Sequence, residues 1–315
     1  MERISCIFCG KPGNRIAISE HGYNGLKCEN CNLIFVSPRP DATEIIGLYT
    51  EHHAVSYADA QFQFESFGRR EAAKALSIIS NYRKDGSILE LGPGGGSFLL
   101  EARNFGYTPF GIELNPLEAR WINERLGIPC ESDPLTECSF AGRKFDIVYH
   151  KDVLSHLSDP VGVFRAINQS MNKTGLLVFE TGNIADVKDK HYKWFSEFLY
   201  PDHLFFFGEK SLKILLERTE FSCLHIHRYA ILLPLLLKRM LWRVKDPLKD
   251  KKTVEKMKLK KEINPARSRK MSAKRRLRLS YRYVSQYLDK FGVILPKKGW
   301  PLRLLVIAEK RSEIC

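Results

Sequence analysis

Residues 88–99 read ILELGPGGGSFL, a short apolar run, a glycine-rich turn and the start of a second apolar segment. This order predicts a strand, a tight turn and a helix. Glycine at positions 92, 94 and 96 lets the backbone turn sharply and approach a ligand closely, because no Cβ intervenes. Such a turn also serves NAD and FAD, so the residues around it must identify the ligand.

The rest of the chain alternates between short apolar runs and helical segments, which predicts βαβ units and a parallel sheet. The predicted strands are residues 87–91, 108–112, 145–149, 175–180, 221–229 and 302–309. The predicted helices begin near residue 69 and cover residues 97–105, 117–126, 160–171 and 209–218.

Two acidic residues favour S-adenosylmethionine as the ligand. Glu113 ends the strand that follows the glycine turn, where its carboxylate can accept hydrogen bonds from two ribose hydroxyls. Glu90 precedes the glycines, and an anion there suits the ammonium group of a methionine better than a phosphate. A domain that binds another nucleotide is the alternative.

With these motifs, the chain resembles the class I methyltransferases, and within them the Methyltransf_23-like branch, over roughly residues 69–229. Further similarity lies in residues 111–113, in residues 145–148 and in the run DVLSHLSDP at 152–160, which is similar to the D-V-L-E-H stretch of that branch. Ser155 replaces the usual Glu. We interpret His156 as a packing or capping residue.

The resemblance implies a Rossmann-like class I methyltransferase sheet, mostly parallel, with an antiparallel last strand. It implies S-adenosylmethionine as the cofactor. The implied cofactor-binding residues are Glu90, Gly92, Gly94, Gly96, Glu113 and, beside the adenine amino group, Asp133.

Four N-terminal cysteines have the spacing of a structural zinc ribbon, with 18 residues between two C-x-x-C pairs. These predicted Zn²⁺ ligands are Cys6, Cys9, Cys28 and Cys31. Redox pairs or unbound thiols are the alternatives. The continuation through residues 31–40 resembles the zinc-binding front end of methyltransferases from sugar and cell-surface polysaccharide pathways.

The run FLYPDHLFFF at residues 198–207 is similar to a stretch of sugar C-methyltransferases in which a tyrosine, an acid and a histidine line the acceptor pocket. The similarity implies catalytic roles for Tyr200, Asp202 and His203, with His203 as the base, although Asp202 replaces a Glu. The long C-terminal domain of those enzymes is lacking, which favours O-methylation of a sugar or of a lipid-linked, cell-surface saccharide.

Positive charge is concentrated near the C-terminus. Residues 237–300 hold 22 Lys and Arg against 5 Asp and Glu, in a chain of net charge +14. The apolar run at 231–237 merges into this segment and suits contact with an anionic membrane surface. A solvated helical insertion is equally compatible. Its predicted helix has one apolar face, formed by Leu277, Tyr281, Val284, Leu288 and Phe291.

We therefore predict a zinc-ribbon module at residues 1–45, a methyltransferase core at 46–229, a basic helical insertion at 230–300 and the last strand of the core at 301–315. A cytoplasmic location is expected, with peripheral contact at the inner membrane surface. Two alternative functions stay open: an RNA methyltransferase that grips phosphates with the ribbon and the basic segment, and a non-catalytic, zinc-stabilised binding protein.

Overall fold

The computed structural model describes residues 1–47, 65–195, 197–230 and 298–311. The chain divides into two compact units. The larger comprises Met1–Asp186, Phe198–Arg228 and Arg303–Cys315, and the smaller comprises Val187–Glu197 and Tyr229–Leu302. Within the described ranges, no helix is long and apolar enough to cross a membrane.

Eleven strands are present in the described residues. They are β1 (Arg15–Glu20), β2 (Tyr23–Lys27), β3 (Ile34–Val36), β4 (Ser87–Leu91), β5 (Thr108–Ile112), β6 (Cys130–Glu131), β7 (Phe145–Lys151), β8 (Met171–Gly182), β9 (Phe205–Phe206), β10 (Phe221–Ala230) and β11 (Leu302–Lys310).

Seven of these strands form the main sheet, in the order β10-β11-β8-β7-β4-β5-β6. Strands β6, β5, β4, β7 and β8 pair in parallel, whereas β11 pairs with β8 antiparallel. The central strands are apolar on both faces, as expected of a parallel sheet that is covered by helices. The mostly parallel, Rossmann-like sheet and its antiparallel last strand are thereby confirmed.

The helices are α1 (Ala42–Gly47), α2 (Glu65–Ile79), α3 (Ser97–Asn104), α4 (Pro116–Trp121), α5 (Pro160–Gln169), α6 (Asp189–Tyr192) and α7 (Glu209–Arg218). Two of them begin with an Asn or Asp cap followed by proline. Asn115 accepts a hydrogen bond from the Leu117 amide before α4, and Asp159 accepts one from the Gly162 amide before α5. Both caps satisfy amides that lack partners in the first helical turn.

The N-terminal strands form a second, antiparallel sheet in the order β1-β2-β3-β9. Its fourth strand, β9, comes from the distant segment that carries His203. Ile34 and Phe35 pair with Phe206 and Phe205, and the Leu204 carbonyl accepts a hydrogen bond from the Val36 amide at 2.9 Å. The cysteine-bearing N-terminal module is therefore built partly from the predicted acceptor segment.

The described part of the smaller unit contains α6 and a cluster of aromatic rings. His191 stacks on Trp194 with ring centroids 3.9 Å apart, and its Nδ1 lies 2.8 Å from the Gly299 carbonyl oxygen.

The predicted elements of the core agree closely with the observed ones. Strands 87–91 and 108–112 are confirmed to the residue, while β7 and β8 are longer than predicted. The helix predicted at 117–126 is α4 followed by a π-helical turn at Ile122–Leu126. In this turn, the side-chain amide of Asn123 donates hydrogen bonds to the carbonyl oxygens of Ala119 and Cys130. Residues 231–297, which hold most of the basic insertion with its predicted helix and the membrane-contact stretch, lie outside the described residues, and the bounds of the four predicted domains stay predictions.

Candidate active site

The predicted cofactor residues meet where the strand order of the main sheet reverses. Strand β4 has β5 on one side and β7 on the other, so loops leaving β4 and β7 diverge and open a crevice at the carboxyl edge. Glu90 lies near the end of β4, Glu113 follows β5, and Asp152 follows β7. All three acids lie at this crevice because each stands at or just beyond the carboxyl end of a parallel strand.

The glycine turn is held by contacts that require glycine. Gly92 has a φ of 68°, and a Cβ there would lie 2.8 Å from Cγ2 of Val153. Gly94 has a φ of 51°, and its amide donates a 2.9 Å hydrogen bond to Glu113 Oε2. Glu113 thus ties the turn to the end of β5.

Gly96 and Asp133, also predicted to bind the cofactor, have different surroundings. Gly96 precedes α3 with a φ of 78°, and a Cβ there would lie 2.6 Å from Leu126. The packing of α3 against the π-helical turn accounts for this glycine. Asp133 is exposed, two residues beyond β6.

Glu90 has a buried carboxyl group in the crevice with one oxygen that lacks a hydrogen-bond partner. It is 5% exposed, and its Oε2 is buried without a hydrogen-bond partner. Burial, followed by the charge of Glu113, raises the pKa of Glu90 well above its ordinary value, and Lys151 opposes this shift. Burial also raises the pKa of Glu113. A cationic ligand would relieve both penalties, so the residues present fit the ammonium and sulfonium groups of S-adenosylmethionine.

Glu118 is a further buried acid that the sequence analysis missed. Its Oε1 lacks a hydrogen-bond partner, and burial, followed by repulsion from Glu113, raises its pKa to about 7. The amphipathic pattern of α4 does not indicate that this position is buried.

A second missed group lies at the ends of β7 and β8. Arg303 contacts Asp152 at 3.1 Å and Glu180 at 3.7 Å, and Glu180 also accepts a 2.9 Å hydrogen bond from the Tyr149 hydroxyl. The charge of Asp152 is the main cause that raises the pKa of Arg303. Because Arg303 begins the last strand, about 150 residues from Asp152, sequence spacing could not reveal the pair.

His203 lies in a compact turn beside the β7 loop. Its amide donates to the Leu199 carbonyl at 3.0 Å, and the next amide, of Leu204, donates to Ser155 at 2.8 Å. Burial first, and then the neighbouring His156, lowers the pKa of His203 to about 4. The ring is consequently neutral near neutral pH.

His156, interpreted from the sequence as a packing or capping residue, joins Asp202 and His203. Its Nδ1 lies 3.2 Å from Asp202 Oδ1, and its ring centroid lies 4.6 Å from that of His203. One ligand atom from each residue falls within 4.8 Å of the others. The similarity of the run at 152–160 to a family motif was the only sequence signal for His156.

Tyr200, the third predicted catalytic residue, faces the N-terminal module. It is buried, and a Cβ at Gly25 of β2 would lie 2.0 Å from its hydroxyl oxygen. The carboxylate of Glu20, at the end of β1, accepts hydrogen bonds from the amides of Phe198 and Tyr200, both at 2.8 Å. Tyr200 therefore contributes to the joint between the module and the acceptor segment.

The four N-terminal cysteines form one cluster. The sulfur atoms of Cys6, Cys9, Cys28 and Cys31 lie within 4.8 Å of one another. Burial raises the pKa of Cys6 above its ordinary range and that of Cys31 to about 11, whereas hydrogen bonds from the Lys11 backbone and the neighbouring cysteines lower the pKa of Cys9 to about 7. Four sulfur ligands at this separation fit a tetrahedral Zn²⁺ site with no open position.

The family of the chain is shown by a model for a methyltransferase domain, Methyltransf_23, which matches residues 64–226. This match covers just over half of the 315 residues. No protein with curated annotation matches the chain significantly.

Solved structures share the fold at low sequence identity. The 1,6-didemethyltoxoflavin-N1-methyltransferase of Burkholderia thailandensis is 14% identical, with a TM-score of 0.50, over 93% of this chain and 98% of that chain. The geranyl diphosphate C-methyltransferase of Streptomyces coelicolor is 16% identical, with a TM-score of 0.46, over 76% of each chain.

The chain therefore belongs to the methyltransferase domain family. It is an S-adenosylmethionine-dependent methyltransferase, in agreement with the sequence prediction.

Proposed function

We propose that the chain O-methylates a hydroxyl group of a sugar or of a lipid-linked saccharide, with Glu90 and Glu113 binding the cofactor and His203 facing the acceptor. The observation that carries the proposal is the loop after β7. Val153 packs on the Gly92 turn, and His156, three residues later, contacts His203. One short loop thus joins the cofactor crevice to the histidine cluster.

The cofactor supplies a methyl group already activated by a sulfonium. Glu113 orients the glycine turn through Gly94 and offers its carboxylate to the ribose, while Glu90 balances the positive methionine end. The remaining task is to place an acceptor oxygen in line with the methyl group and to take up its proton. The neutral ring of His203 can accept a hydrogen bond from the acceptor hydroxyl and so help to place it.

The N-terminal module supports the acceptor segment, and we infer that Zn²⁺ bound by its four cysteines keeps it folded. Strand β9 and the Glu20 carboxylate hold the segment from both ends. We also propose a cytoplasmic location, with the basic segment in contact with an anionic membrane surface where a lipid-linked saccharide would lie.

Calorimetric titration with S-adenosylhomocysteine tests the cofactor site. We expect micromolar binding by the wild type and a loss of about tenfold or more in Glu113→Ala, because a charged hydrogen-bond acceptor is removed. Gly94→Val should bind as poorly, since valine does not adopt its positive φ without strain. The matched control is Glu124→Ala, an exposed acid in the turn after α4, which should bind normally.

Transfer of a labelled methyl group to saccharide acceptors tests the proposed acceptor class and the role of His203. His203→Gln should bind S-adenosylhomocysteine like the wild type yet transfer methyl groups more slowly. Wild-type protein that is folded and zinc-loaded but does not bind S-adenosylhomocysteine would overturn the cofactor assignment. Transfer to RNA, but to no saccharide, would overturn the acceptor assignment.

A further inference from the structure

His156, Asp202 and His203 bring together two imidazoles and one carboxylate. His156 ends the short 3-10 turn Leu154–His156 after β7, and the other two residues precede β9. The hydrogen bond from Leu204 to Ser155 fixes the two segments side by side. The convergence is therefore built into the backbone and does not depend on long, mobile side chains.

We propose that these three residues bind a divalent transition-metal cation, separate from the cysteine site, and that the acceptor hydroxyl coordinates this cation. The inference rests on the proposed function and gives His203 a different role in it, as a ligand of the cation that holds the acceptor oxygen.

The separations suit a shared ion. Metal bonds to imidazole nitrogen or carboxylate oxygen measure about 2.0–2.2 Å, so neighbouring ligand atoms lie roughly 3.0–3.5 Å apart. His156 Nδ1 and Asp202 Oδ1 are 3.2 Å apart, and all three ligand atoms lie within 4.8 Å of one another.

The chemistry of the ligands selects the kind of ion. Two imidazoles with a carboxylate favour zinc, iron, cobalt or nickel over magnesium and calcium, which prefer oxygen ligands alone. Asp152 adds a second negative charge to the surroundings of His203.

Three protein ligands leave at least one coordination position open, in contrast to the closed cysteine site. An acceptor hydroxyl bound there becomes more acidic. Its oxygen releases the proton to solvent and attacks the methyl carbon of S-adenosylmethionine. The carbon–sulfur bond then breaks, and the electron pair stays on the sulfur of S-adenosylhomocysteine.

Titration of the zinc-loaded, full-length protein with Co²⁺ tests the site. We expect one additional Co²⁺ per chain, with the weak visible bands of nitrogen and oxygen ligands and without a thiolate charge-transfer band. His156→Gln, His203→Gln and Asp202→Asn should each weaken the binding by about tenfold or more. His225→Gln, which alters an exposed histidine on β10, is the matched control and should bind Co²⁺ normally.

Binding of S-adenosylhomocysteine by each variant shows that it is folded. Absence of a Co²⁺ equivalent beyond the cysteine site in wild type, or equal affinity in the wild type and the three variants, would overturn the inference. The convergence of these side chains would then be a structural contact between the two segments. If the cation site is absent, the proposed methyl transfer still stands. If Co²⁺ binds but no hydroxyl is methylated, only the proposed acceptor chemistry is overturned.

Discussion

Glu118 shows how one buried side chain can couple stability to pH. Its pKa of about 7 in the folded protein exceeds the ordinary 4.5, so the folded state holds a proton that the unfolded state has already released. The stability contribution of this residue is fully present below pH 4.5 and is lost as the pH rises to about 7.

Glu118→Gln should therefore stabilise the cofactor-free protein at high pH. The gain should be near zero below pH 4.5, grow through neutral pH and level off at about 1–3 kcal/mol above it. Urea unfolding across this pH range measures the effect. Glu124→Gln, at an exposed position in the next turn, is the control, and a gain that does not depend on pH would contradict the argument.

Single residues were predictable from the sequence where their role is local. Glu90 and Glu113 were predicted from their positions beside a glycine turn and at a strand end, and the structure brings both to one crevice, while their binding of the cofactor stays a prediction. His150 was not predictable: it is 1% exposed, stacks on Phe179, and burial lowers its pKa to about 3. Arg303 could not be found either, because its partners come from strands distant in sequence.

At the scale of elements, the joint between β2 and the acceptor segment depends on Gly25. A methyl group there would overlap the Tyr200 hydroxyl. We expect Gly25→Ala to lower the free energy of unfolding by about 1–3 kcal/mol, because two packed elements must separate. Tyr200→Phe should recover part of this loss in the double variant.

Urea unfolding of the two single variants and the double variant measures the coupling between the positions. A simple sum of the two single effects would contradict the contact.

The elements themselves were predictable to different degrees for physical reasons. Strands β4 and β5 are short segments, mostly buried and bounded by turns, so their bounds follow from the sequence. Strand β9 is only two residues long, and its pairing with β3 joins segments about 170 residues apart. No local pattern encodes such a pairing, although the aromatic run at 198–207 marked the segment as unusual.

At the scale of the whole molecule, the proposed cofactor site and the proposed acceptor segment are held by different structural elements. The cofactor crevice is built from the main sheet, whereas the segment that carries His203 is also a strand of the N-terminal sheet. The N-terminal sheet contacts the turn that follows β8, for example through the hydrogen bond from Lys27 to the Ala185 carbonyl at 2.7 Å. The stability of the cysteine cluster should therefore affect the acceptor side more than the cofactor side.

Cys28→Ser with Cys31→Ser should remove Zn²⁺ and loosen the N-terminal module, because a module of about 45 residues has little apolar core of its own. Hydrogen exchange should then accelerate at the amides of Phe198 and Tyr200, which lose the Glu20 carboxylate. Amides within β4 and β5 should keep their protection.

Mass spectrometry of exchanged peptides reads both regions in one experiment, and Cys138→Ser, at an exposed cysteine outside the cluster, serves as the control. Unchanged protection at residues 198–206 in a zinc-free variant would show that the acceptor segment holds its shape without the module. Loss of protection in β4 as well would show that the module stabilises the entire core, and the division between cofactor and acceptor supports would then be wrong.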